Sequence, residues 1–306
     1  MSTLSWGVGV HYGMDFLAYQ CIPHLNASTL VWADVSMQHL KAAIDGRLVR
    51  KDTPALALGR AIHVKLMEPH AFDEQYKVAS PCAAILKSGR RRGSLCGCNA
   101  SYLSESSGEW FCGSHMDGDC YEPENMISSE DAAMIDALCQ SVIEHDVIHL
   151  LRSHGGVEAT TIAELDGVMM KTRQDKYIPQ GTCPATIIDI KTVEVGGGTD
   201  VEFSRAIERY SYDQKAAIYC DAIHAVEGVM PKFIWVVVEK GVPYSVNVIM
   251  ADRDTIAIGR HRYRSSLAKY KACLASGVWP GYASDIHLGG HGKYVRSQYR
   301  GVIDQD

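Results

Sequence analysis

At 306 residues the chain can bury a sizeable core, and 46% hydrophobic against 22% charged residues is the balance of a globular protein in water. A net charge of −6 argues against a general nucleic-acid coat, which carries a basic excess, but allows an acidic metal site beside a local basic groove. The longest apolar stretch, Phe233 to Val238, is too short to span a bilayer, and no basic region leads into a hydrophobic one at the N-terminus. A cytoplasmic protein with no membrane partner is expected.

After an opening segment to which no element is assigned, Asn26 and Ser28 offer N-caps for a helix carrying Leu30, Val31 and Val35. A second helix runs from Leu56 to Met67 and ends at Glu68-Pro69. Residues 80–127 change character: glycine, serine, cysteine and charge dominate and neither period persists, which marks an insertion. Ser128, with Asp131 three residues on, starts a long helix through Leu151 that stops near Gly155. Strands at 157–165, 168–175 and 185–190 form a meander. Then come a helix over 204–226, strands at 232–238 and 244–250, and a helix from Asp252 to Ser276 closed by Gly277. Gly196 to Gly198 reads as a mobile loop. This order predicts an α/β fold with a central mixed sheet flanked by helices. It divides the chain into an N-terminal helical part (1–79), the insertion (80–127), a core (128–282) and a C-terminal tail (283–306).

Chemistry concentrates at Ile187-Ile188-Asp189-Ile190-Lys191, an apolar strand that presents two charged residues on one face. Asp175 ends the preceding strand, and a hairpin through Gly181-Thr182-Cys183-Pro184 brings it to Asp189. Two adjacent carboxylates resist ionising unless they share a cation, so Mg²⁺ or Mn²⁺ is the expected occupant. A lysine beside such an ion can orient or deprotonate water and stabilise a pentavalent phosphate. An isolated Asp-x-Lys is more often a surface ion pair.

The ordered residues decide between these readings. Met169 to Pro179, followed by Asp189-Ile190-Lys191-Thr192, resembles the catalytic core of the RecE-type exonucleases of the PD-(D/E)XK superfamily, with Gln174 where that family has proline. Leu58-Gly59-Arg60-Ala61-Ile62-His63 resembles the family's Leu-Gly-x-Ala-x-His helix. The resemblance, from about residue 52 to 282, implies His63, Asp175, Asp189 and the Ile190 carbonyl as metal ligands and Lys191 as the group that handles water. It offers Glu158 as an outer or second-metal carboxylate. A Gln and Tyr helix motif places Gln214 near the site, but Gln214 stands five residues before Tyr219 where the family has four. That rotates it by roughly 100° and leaves Lys215 as its rival. Glu164 and Asp166 read as turn residues.

Five of the ten cysteines, Cys82, Cys96, Cys98, Cys112 and Cys120, crowd into the insertion, which points to a metal rather than to disulfides. Cys82, Cys96, Cys112 and His115 make a zinc-type series, with Cys98 as a competitor for the second position. An iron–sulfur cluster, as in Cas4-like relatives, lacks the matching C-terminal cysteines. Cys21, Cys139, Cys183, Cys220 and Cys273 read as small core residues. Basic patches fall at Arg90 to Arg92, at Arg260, His261, Arg262 and Arg264, and at Lys269 with Lys271, each also readable as a solvated face. With Arg90 to Arg92 inside it, the insertion either touches DNA or a partner or is held structurally by zinc.

The resemblance implies a phage- or prophage-encoded exodeoxyribonuclease acting on double-stranded DNA ends, 5′ to 3′. It further implies a homo-oligomer that works with a RecT-type annealing protein. The alternatives are a Cas4-like or endonucleolytic enzyme, and a non-catalytic zinc-containing DNA-binding protein.

Overall fold

The structure, a computed structural model, describes residues 6–48, 53–181 and 183–283, together with 286, 297, 298 and 300. The expected tail (283–306) therefore falls largely outside the described residues, as does Thr182 of the expected turn.

In chain order, the short strand β1 (Gly9–His11) leads into helices α1 (Phe16–Cys21) and α2 (Ala27–Leu30), a 3-10 turn at Val31–Asp34, and α3 (Met37–Ile44). Asn26 caps α2 through the Thr29 amide, and Ser36 caps α3, so the one helix expected through Leu30, Val31 and Val35 is α2 followed by the 3-10 turn, with α3 a separate helix. Next come α4 (Pro54–Met67), with Thr53 as N-cap and proline at the first position, and α5 (Pro69–Gln75). β2 (Lys77–Val78) leads into the insertion, which holds β3 (Tyr102–Ser104), β4 (Trp110–Phe111), β5 (Cys120–Tyr121) and β6 (Met126–Ile127). β2 pairs with β6 at its neck, and β4-β3-β5 form a small sheet. These strands are too short for an alternating pattern to register.

The helix expected over 128–151 stops early: α6 (Ser129–Glu144) ends at His145, and α7 (Ile148–Leu151) is a separate turn. Then follow β7 (Gly156–Leu165), β8 (Val168–Ile178) and β9 (Thr186–Val193). β7 and β8 join through Asp166-Gly167, both with positive φ, a tight Asp-Gly hairpin turn. Asp166 is thus a turn residue, while Glu164 lies within β7. The helix expected over 204–226 is two, α8 (Asp200–Arg209) and α9 (Tyr212–Glu227), separated where Ser211 turns left-handed at φ 55°. β10 (Lys232–Glu239), β11 (Val246–Met250) and α10 (Arg253–Ser276) complete the order, α10 closing on left-handed Gly277.

The main sheet runs β1-β7-β8-β9-β10-β11, all neighbours antiparallel except β9 and β10. That parallel pair requires a crossover, which α8 and α9 supply. Alternation sorts the sheet: Ile187, Phe233, Trp235 and Val237 face one core with α2, α3, α9 and α10, while Ile188, Ile190, Val236 and Val238 face a second with α4 and α6. The opening segment is docked rather than loose. Buried Lys171 donates to the carbonyls of Tyr19, Gln20 and Ile22, capping α1, and Arg173 reaches the Met14 carbonyl.

The Gly196–Gly198 loop is tethered, since the Glu239 carboxylate accepts from the amides of both glycines and Asn247 donates to the Gly198 carbonyl. Cys139, Cys220 and Cys273 are core residues as expected, but Cys21 and Cys183 are exposed. Among the described residues no helix is long and apolar enough to cross a membrane.

Candidate active site

The site forms at a fork. β8 and β9 pair only over Lys176↔Ile188, Tyr177↔Ile187 and Ile178↔Thr186, then splay, and Asp175 and Asp189 are the next residues on each arm. The Asp175 carboxylate accepts from the Ile190 amide at 2.7 Å, which fixes the arms at the point of divergence. α4 packs over the fork and delivers His63, whose Nδ1 lies 3.6 Å from Asp175. Nε2 of His63 is 3.1 Å from the Ile190 carbonyl, which can only accept, so Nε2 donates and Nδ1 is the ring nitrogen turned toward the carboxylates. A backbone carbonyl that orients a metal-binding imidazole in this way is a common outer partner. The Ile190 carbonyl, expected as a metal ligand, accepts from His63 here and keeps a second lone pair.

Glu158 comes from β7, opposite Asp175. It sits at φ 50°, a left-handed conformation that costs a non-glycine residue of order 1 kcal/mol and marks places where geometry is imposed. Arg173 braces its carboxylate at 2.5 Å. Burial, and then the charge of Asp175, nonetheless push the Glu158 carboxyl above its ordinary value. Ligand atoms of His63, Glu158 and Asp175 lie within 4.8 Å of one another. Mg²⁺ places opposing oxygens about 4.2 Å apart, so this imidazole and two carboxylates fit a hard divalent cation with little adjustment.

Asp189 stands outside that set of three. It is 1% exposed, and its two oxygens accept from Lys191 and, at 2.5 Å, from Lys215. Burial would raise its pKa, but Lys191 and Lys215 hold it well below the usual carboxylate range. Burial, and the second ammonium of Lys215, push Lys191 below an ordinary lysine.

Gln214 does not come to the site: it donates to Asp34 at 2.5 Å, on the far side of α9. Lys215 takes the place, as the helical rotation between them dictates. Tyr212, Lys215 and Tyr219, spaced three and four residues apart, share the α9 face toward the fork, a signal present in the sequence. The Tyr212 ring lies 5.0 Å from Lys191 and the Tyr219 ring 5.2 Å from Lys215. Arg173 as the brace of Glu158 had no sequence signal, because the cross-strand pairing that makes it one is set by register.

In the insertion, Cys82, Cys96, Cys112 and His115 also bring their ligand atoms within 4.8 Å of one another, while Cys98 is exposed and outside the group. His115 Nδ1 lies 3.5 Å from Cys82 Sγ and 3.3 Å from Cys112 Sγ. Against burial, the backbone amides of Cys112 and Ala84 and the His115 ring bring the Cys82 thiol down to about 7. Despite amide donors at Cys98 and Ser114, Cys96 is raised by burial and by the Cys98 and Cys82 thiols, and Cys112 by burial and by the Cys82 and Cys96 thiols. Three thiols and one imidazole gathered this closely fit tetrahedral Zn²⁺, whose sulfur ligands stand about 3.8 Å apart.

Comparison with known proteins gives the family and the fold. The family described as "PDDEXK-like domain of unknown function (DUF3799)" matches residues 27–291. A crystal structure from Eubacterium rectale described as a "putative exonuclease" superposes with a TM-score of 0.58, covering 94% of this chain and 100% of that one at 12% identity, a likeness of fold. The crystal structure of SSO0001 covers 45% of this chain and 60% of that one at 15% identity, with a TM-score of 0.23. No curated protein matches.

Proposed function

This chain belongs to the PDDEXK-like family DUF3799, and from that premise we propose that it is a divalent-metal-dependent exodeoxyribonuclease acting on linear double-stranded DNA. The observation that carries the reading is the convergence of His63, Glu158 and Asp175 at the β8/β9 fork, beside the Lys191–Asp189–Lys215 group.

His63, Glu158 and Asp175 would hold Mg²⁺ or Mn²⁺, with Asp189 the next available oxygen donor. Bound there, the ion supplies Lewis acidity to a phosphodiester oxygen and to water. Lys191, lowered by burial and by its ammonium neighbour, is the group suited to take a proton from the attacking water. Lys215 keeps a positive charge beside Asp189 and faces the phosphate that the fork would admit. Arg173 fixes Glu158, and the Ile190 carbonyl fixes the His63 tautomer. Cys82, Cys96, Cys112 and His115 would hold a structural Zn²⁺, which a module with so small a core needs in order to fold.

The finer reading rests on the RecE-type motifs: 5′ to 3′ polarity, 3′ single-stranded tails, a homo-oligomer and a RecT-type annealing partner in a phage or prophage setting, in the cytoplasm. The name of the Eubacterium rectale neighbour supports the exonucleolytic mode. The deciding experiment digests end-labelled linear duplex and closed circular duplex with Mg²⁺. Wild type should release label progressively from linear DNA and spare the circle, while Lys191→Ala should fall by 10²-fold or more. A wild type inert on DNA with both Mg²⁺ and Mn²⁺, or a fully active Lys191→Ala, would overturn the reading.

A further inference from the structure

Residues 82–98 form a narrow antiparallel ribbon. The amide of Cys82 donates to the Cys98 carbonyl, that of Cys96 to Ala84, that of Leu86 to Ser94 and that of Gly93 back to Leu86. Cys82 and Cys96, two of the four thiol and imidazole ligands, sit buried at its base, and the Ala83 amide ties that base to β4 through the Trp110 carbonyl. From Cys82 to Lys87 the ribbon extends about 16 Å at 3.3 Å per residue. Every residue from Lys87 to Leu95 is exposed, and Ile85 and Leu95 flank the tip with open apolar surface.

The tip is cationic and unneutralised. Lys87, Arg90, Arg91 and Arg92 stand in a stretch, residues 75–104, that contains no Asp or Glu in a chain that has 36 of them. Arg91 is used internally, donating to the carbonyls of Leu95 and Cys96 and so holding the ribbon's shape. Among the described residues, no ion pair engages Lys87, Arg90 or Arg92. The arginines of α10 contrast with them: Arg260 is bound to Asp221, Arg262 to Asp213 and Asp34, and Arg264 lies against Asp166. A chain that is acidic overall and neutralises its other arginine-rich surface has left three cations bare on a braced finger.

We propose that this finger is a DNA-backbone contact, in which Lys87, Arg90 and Arg92 grip phosphates of the duplex while the Cys82–Cys96–Cys112–His115 zinc site fixes its base. The proposal deepens the nuclease reading and rests on it for the identity of the polyanion. Phosphate contacts of this kind give affinity without sequence preference, and each one released changes the slope of log K against log salt by about 0.9.

The test is fluorescence anisotropy of the full-length protein with a labelled duplex in Mg²⁺-free buffer over a salt series. It compares wild type with the triple variant Lys87→Ser, Arg90→Ser, Arg92→Ser, retaining Arg91, and with Arg90→Lys, Arg92→Lys. Zinc content and thermal midpoint are measured on each, to show that the ribbon persists. The serine variant should bind on the order of 100-fold more weakly at about 0.1 M salt, with a slope shallower by 2 to 3, and the lysine variant should stay within a few fold of wild type. Unchanged affinity and slope in a serine variant that retains its zinc would overturn the proposal, as would a wild type that binds no duplex. Cleavage is read in parallel. If wild type cleaves and the serine variant binds normally, the finger is wrong and the nuclease reading stands. If wild type cleaves nothing yet the serine variant loses binding, the nuclease reading is wrong and the finger stands.

Discussion

Lys191 and Lys215 share one buried carboxylate, and the consequence for pH can be signed. Lys191 must be neutral to accept a proton, so activity should rise with pH through its lowered pKa. Lys215→Met removes the neighbouring ammonium that helps to depress it. The rising limb of kcat/KM should therefore move to higher pH, with a loss at neutral pH of about 10- to 100-fold; a limb that stays in place would deny the coupling. Glu158 gives a second signed expectation. Its folded pKa is raised, so it contributes stability at low pH that is lost as pH climbs from the ordinary glutamate value near 4.5 to the raised one. A divalent cation needs the ionised form, so its stabilisation must grow across that same window. Thermal midpoints taken with and without Mg²⁺ should diverge with rising pH in wild type and far less in Glu158→Gln.

At the scale of elements, α9 carries Lys215, and what sets α9 is its crossing with α10. Gly259 lies so close to α9 that a Cβ there would stand 2.1 Å from the Asp213 carbonyl oxygen and 2.9 Å from the Gln214 nitrogen. Gly259→Ala must push the helices apart, at a cost of about 1–3 kcal/mol, and must move the two residues immediately before Lys215. Activity should fall together with the midpoint in a thermal melt; a variant with wild-type stability would show that the contact yields easily. None of this was legible in the sequence, where Gly259 is one glycine inside a basic helix. What was legible followed periodicity and caps: the three meander strands, Thr186 to Val193 with its Asp-x-Lys, and α10 from Asp252 to Gly277. What was not depended on tertiary contact. β1 is three residues long and exists by pairing with β7, and the break at Ser211 is a backbone conformation that serine does not announce. In the site, Asp175, Asp189, Lys191 and His63 were readable as types at a spacing. The division between them was not: Asp189 bound by two lysines, and Glu158 drawn in beside His63, are consequences of register at the fork.

Across the whole molecule the two candidate metal centres rest on different cores. The fork is built between the clusters on the two faces of the main sheet, whereas the thiol site is part of a separate small cluster of Ala79, Cys82, Cys96, Ala100 and Trp110. The insertion meets the rest at its neck, through the β2/β6 pair and the residues next to α5 and α6. A module of that size lacks the apolar burial to fold unaided, so losing its ion should unfold it locally while the nuclease sheet persists. Zinc and magnesium should then act on separable quantities. Stripping zinc with a chelator that spares Mg²⁺ removes the base of the basic finger, so duplex affinity should drop by 10-fold or more. The turnover of bound DNA, which the proposed function assigns to His63, Glu158, Asp175 and Lys191, should change by no more than about twofold. Single-turnover cleavage at saturating protein measures the second quantity and a titration in Mg²⁺-free buffer the first. Cleavage at saturation that collapses with zinc would mean that the insertion reaches into the fork itself, and the two centres would have to be treated as one machine.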